Sequence, residues 1–120
     1  MPGWRYEPIT PCLNMLPACV AHKSASEIAV LAAHLQVSED PEANYLTAAN
    51  LAYCGQTREA LRLLKLAVRG NYCSWPAMDS DPFFAGVRIK PEFAGVRAAG
   101  MVCQKNFLAA RQDGQQQARR

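Results

Sequence analysis

Apolar positions along this chain recur every three or four residues, the period of a helix with one buried face, and the breaks between the runs carry cap and turn residues. Ser24 and Glu27 form an S-x-x-E capping box, in which each side chain satisfies an orphan amide at a helix start. Ile28, Leu31, Ala32 and Leu35 come next at i, i+3, i+4 and i+7, so a helix is predicted over residues 25–36. Asp40 offers an N-cap oxygen, Pro41 is preset for the first helical position, and Glu42 sets negative charge against the helix's positive end. The segment 41–54 then reads as a helix that Gly55 ends in the left-handed conformation. Thr57 is expected to cap a further helix through Arg69, with Gly70 stopping it in the same way. Two helices joined by so short a turn lie antiparallel. The pattern predicts an all-α fold of about five helices arranged as antiparallel hairpins.

The C-terminal third repeats itself: Pro82-Phe83-Phe84-Ala85-Gly86-Val87-Arg88 returns nine residues later as Pro91-Glu92-Phe93-Ala94-Gly95-Val96-Arg97. Each copy supplies a proline at a helix start and an aromatic and a valine at i and i+3, which predicts a short helical turn and then a helix running to about Arg111. Phe93, Val96, Met101 and Leu108 are expected on its inner side. Asp79 and Asp81 precede the first copy as caps, since the further acidic positions of a calcium loop are missing. Residues 1–23 read as an irregular N-terminal segment, within which Pro17 costs a short helix from Pro11 to Ala21 one internal hydrogen bond. A single domain is expected: 1–23 irregular, 24–74 the helical hairpin region, 75–111 capping helices and 112–120 a polar, frayed tail.

The block from Pro41 to about Ser74 resembles one tetratricopeptide repeat, a helix-turn-helix unit of about 34 residues. Ala48, Gly55, Ala60 and Ala67 stand where that repeat carries small residues, and Leu64 where it carries a large apolar one. The departures are Thr47 in place of a leucine and Tyr72 in place of a proline. The stretch after Tyr72 is similar to the C-terminal cap found after the last repeat of bacterial multidomain proteins. The resemblance implies a scaffold that binds another protein or peptide without catalysis. It also implies a ligand face on the concave side of the first helix, which would present Glu42, Tyr45, Ala49, Ala52 and Tyr53. A structural end cap of a longer array, able to pair with its own copy as a homodimer, is the alternative; an exposed apolar face over residues 25–36 would mark it.

Composition changes this picture little. A net charge of +3 with half of the residues apolar is globular and only mildly basic. Arg58, Arg62, Lys65 and Arg69 line one helix face, opposite Leu61, Leu64 and Val68, with no aromatics interleaved for base stacking. A solvated outer face is expected there and nucleic acid is disfavoured. No run reaches the roughly 18 apolar residues of a membrane span. The five cysteines show no zinc-pair spacing, and neither a metal nor a cofactor is expected. Reduced, structural thiols and a cytoplasmic address are the corresponding expectation. A cysteine-dependent enzyme using Cys73 or Cys103, with His22 or His34 brought near, is the remaining alternative. Trp75, with Tyr72 and Pro76, is expected to plug the junction between hairpin and cap.

Overall fold

The computed structural model describes the backbone of residues 9–118 and the side chains of residues 15–118; Trp4 and the irregular chain expected over residues 1–8 lie outside them. The fold is all-α, and the described residues contain no strand. Two antiparallel pairs come first: α1 (Ile9–Val20) with α2 (Ala25–Ala33), then α3 (Pro41–Tyr53) with α4 (Thr57–Arg69). Two single-turn helices, α5 (Ala77–Ser80) and α6 (Ala85–Arg88), flank a 3-10 turn at Pro82–Phe84, and α7 (Pro91–Ala118) closes the chain.

The expected start signals at Ser24 and Asp40 both cap helices. Ser24 accepts from the amide of Glu27 at 3.2 Å, and Asp40 accepts from that of Glu42 at 3.0 Å. The link into α3 is tied down by Asn44, which exchanges two hydrogen bonds with the backbone of Ser38, at 2.8 and 2.9 Å. Gly55 ends α3 at φ +80°, in the left-handed region where glycine has no Cβ to clash. Ala48, Ala60 and Ala67 are wholly buried between α3 and α4, so the two axes come close, and Leu51, Leu63 and Leu64 fill the core around them.

Several expectations are corrected. Residues 9–20 are helical although Pro17 sits inside α1. Pro17 is exposed, while Met15 is wholly buried and Cys19 is bonded to Cys54, and this burial and tether outweigh the lost hydrogen bond. The next helix stops at Ala33, short of residue 36, because His34 already caps it. Gln56, not Thr57, precedes α4, and its side chain makes no cap hydrogen bond. At the far end of α4 the left-handed residue is Asn71 (φ +70°), not Gly70 (φ −82°). Gly70 is small for another reason: a Cβ there would stand 2.7 Å from the Cβ of Pro41. The tail expected to fray continues α7 to Ala118, and Met101 and Leu108, expected inside, are about half exposed.

The cysteines are corrected as well. Cys19 bonds Cys54, joining the end of α1 to the end of α3, and Cys73 bonds Cys103, tying the loop after α4 to α7. Lys90 and Glu92 flank the first turns of α4, whereas Ala99 and Cys103 flank Val68 and Asn71, so α7 runs in the same direction as α4. At 28 residues against 13 it overshoots its neighbour by about 20 Å. The radius of gyration, 16.5 Å against about 13.5 Å for a compact chain of this length, reflects that overhang.

Candidate functional site

The five residues expected on the ligand face do not stay together. Tyr45, Ala49 and Ala52 are buried, and only Glu42 and Tyr53 remain exposed. At Tyr45 the cap is the cause. The 3-10 turn and α6 fold back on α3 and set Phe84 against Tyr45, ring centroids 5.5 Å apart, with Tyr72 at 5.3 Å on the same ring. Phe84 and Val87 are wholly buried in this contact. The Tyr45 hydroxyl donates to the Asp81 carboxylate at 3.2 Å. Burial, then the Asp81 charge and that hydrogen bond, push the Tyr45 phenol above its ordinary range, so it stays protonated as a hydrogen-bond donor. Tyr45 is a fastener between hairpin and cap, not an anchor free for a partner.

The two copies of the nine-residue motif do equivalent work. Phe84 and Val87 in the first, and Phe93 and Val96 in the second, are the buried side chains. The arginine ending each copy reaches back to the α5 segment. Arg88 donates to the carbonyls of Met78 and Asp81 at 3.2 and 2.7 Å, while Arg97 pairs with Asp79 and lies over the ring of Phe93. Asp81 accepts from the amide of Phe83, capping the turn as expected.

What remains open on α3 is a stripe one residue round from the expected one. Glu42, Leu46, Asn50 and Tyr53 stand at spacings of four, four and three, with Leu46 56% and Tyr53 51% exposed. Phe83, 38% exposed, extends the stripe, its ring tilted against that of Tyr53 with centroids 5.0 Å apart. Leu46 and Phe83 were missed in the sequence. The 42, 46, 53 spacing was legible there, but which of two adjacent faces the cap would cover was not.

Other expected sites resolve differently. Cys73 and Cys103 are bonded to each other, and the cavity of about 520 Å³ beside them is lined by Val68, Asn71, Ala99, Val102, Asn106 and Phe107, with no histidine. His22 and His34 are exposed at the ends of α1 and α2. Neither the Cys73 nor the Cys103 sulfur is a free thiol in this structure. Trp75 is half-buried beside Gly100, at the junction where it was expected. No helix among the described residues is long and apolar enough to cross a membrane.

No family model, curated protein or solved structure matches the chain.

Proposed function

We propose that this chain is a protein-binding module of the tetratricopeptide kind, one hairpin closed by its own C-terminal cap, which holds an apolar or aromatic segment of another protein. The observation that carries it is the stripe of Leu46 and Tyr53 on α3 with Phe83 of the 3-10 turn beside them, three large apolar side chains left open together. Aromatic side chains give large contact area for little lost entropy, and the Tyr53 and Phe83 rings already lie against each other before a partner arrives. Glu42 at one end of the stripe adds a carboxylate for a basic group on that partner. The end-cap alternative has less support: over residues 25–36 Val30 is 60% exposed, but Ile28 and Ala32 are buried and Leu31 and Leu35 partly so. The two disulfides remove the ground on which a cytoplasmic address was expected and favour an oxidising compartment.

The test is a selection from displayed random peptides against the oxidised chain, repeated with Leu46→Ala/Tyr53→Ala. Enriched peptides should be rich in apolar and aromatic residues and should weaken by about tenfold to a hundredfold on the variant, the loss typical of truncated anchors. Peptides that bind both forms equally would sink the assignment to this face.

A further inference from the structure

Charge is segregated along this chain. No lysine or arginine lies between Lys23 and Arg58, where Glu27, Glu39, Asp40 and Glu42 fall, while from Arg58 to Arg111 nine lysines and arginines face four acids. Folding turns the segregation into two ends. Glu39, Asp40 and Glu42 are exposed on the turn into α3, preceded by Val37 at 46% exposure. From the opposite end of the same hairpin to past the middle of α4, Arg58, Arg62 and Lys65 with Lys90 before α7 line a cleft of about 630 Å³ that also holds Leu61, Glu59 and Glu92. Glu59 is held by Arg62 at 2.7 Å, which leaves Arg58, Lys65 and Lys90 without an ion-pair partner among the described residues. Ile89, next to Lys90, is 80% exposed, more than any other large apolar side chain described.

The helices α3 and α4 are antiparallel and Gly70 lies against Pro41, so along the helix axis the cleft reaches from about 18 Å from the acidic turn at Arg58 to about 7 Å at Lys65. The Arg58 end is nearly two screening lengths away at 0.1 M salt, so the acidic turn of the same molecule does not neutralise it. Arg69, at the end of α4 beside the acidic turn, offsets one of its three charges and leaves the sign unchanged.

We propose that the chain associates head to tail with a second copy of itself, the Glu39–Glu42 turn of one copy seated in the Arg58–Lys65–Lys90 cleft of the next, with Val37 and Ile89 meeting as its apolar contact. The contact is heterologous, so each copy keeps one free end of each sign and association is open-ended. Steering by charge makes it salt-dependent, and a cleft of this size makes it weak. It shares only Glu42 with the peptide-binding stripe and uses neither Leu46 nor Tyr53, so Tyr53→Ala and Lys65→Glu/Lys90→Glu tell the two apart.

The experiment is sedimentation velocity or light scattering on the oxidised chain over a wide concentration range, at about 20 mM and about 300 mM salt. At low salt the weight-average mass should climb with concentration above the 13.2 kDa of one chain and return to it at high salt. Glu39→Lys/Glu42→Lys and Lys65→Glu/Lys90→Glu should each stay at the mass of one chain. An equimolar mixture of the two should associate again, which also shows that both variants are folded. Tyr53→Ala should associate as the parent does. A parent chain that stays monomeric at every concentration at low salt overturns the proposal. So does association that survives both charge reversals, or a mixture that remains monomeric.

Discussion

Two glycines five residues apart on α7 should respond to the same substitution with opposite signs. Around Gly95, a Cβ would meet nothing within 4 Å. Gly95→Ala therefore removes backbone freedom from the unfolded chain, adds a better helix former, and should stabilise by about 0.5–1 kcal/mol. Gly100 is buried where α7 crosses the loop after α4. A Cβ there would stand 2.7 Å from Met78 Cε and 2.9 Å from the carbonyl oxygen of Cys73. The methionine end can swing aside, but the carbonyl belongs to backbone held by the Cys73–Cys103 bond, so the loop itself must give. Overpacking of this kind costs about 1–3 kcal/mol, which exceeds the helix gain and leaves a net loss of about 1 kcal/mol. For a chain of 120 residues each kcal/mol moves the midpoint by about 4 °C, so the two variants should melt about 6–8 °C apart, one on each side of the parent. Thermal unfolding of the oxidised proteins, monitored by far-ultraviolet circular dichroism, measures this directly. A Gly100→Ala variant as stable as the parent would refute the close crossing of α7 over Cys73.

Tyr45→Phe deletes the hydroxyl given to Asp81 and should lower stability at neutral pH by about 1 kcal/mol. Because the folded phenol is held above its ordinary value of about 10, the parent keeps this contribution below that pH and loses it as pH rises beyond, when the unfolded chain ionises first. Urea midpoints measured from pH 7 upward should fall more steeply for the parent than for the phenylalanine variant above pH 10, and parallel curves would contradict the buried donor. The Cys73→Ser/Cys103→Ser variant opens a 30-residue loop and should lose about 4 kcal/mol, and alkylation of the denatured, unreduced parent should spare Cys19, Cys54, Cys73 and Cys103 in a peptide map. Arg88→Ala removes the guanidinium from the Met78 carbonyl and leaves the Asp81 carbonyl with the Phe84 amide alone, and should cost about 1–2 kcal/mol, with amide exchange accelerating over residues 77–88 first.

Much of the fold is written locally. The Ser24 and Asp40 caps, the Gly55 turn and the small residues between α3 and α4 are short-range rules that the structure obeys residue by residue. What escaped the sequence depends on contacts distant along the chain. Pro17 argues against a helix until Met15 is buried and Cys19 finds Cys54, 35 residues away. Gly70 looks like a turn residue until Pro41 arrives beside it. The cysteines show no pairing in their spacing because each bond joins separate elements, and only packing brings those elements together.

The same limit explains the ligand face. Taken alone, α3 offers two adjacent stripes with a tyrosine on each, Tyr45 on one and Tyr53 on the other. The choice between them is made by the nine-residue motif. Its first copy lays Phe84 and Val87 on the Tyr45 side of α3, its second sends Phe93 and Val96 along α4 at the head of α7, and the paired arginines fix both to the same short segment. One duplicated phrase thus covers both helices of the hairpin with its own aromatics, so the Tyr45 groove is occupied by the chain itself. Phe83, the residue just before the first buried aromatic, cannot turn inward with it and lies instead on Tyr53. The cap that closes one stripe therefore completes the other. Removing Phe83 should weaken peptide binding while leaving Tyr45 as buried as before, whereas removing Phe84 should loosen the cap and expose the Tyr45 side.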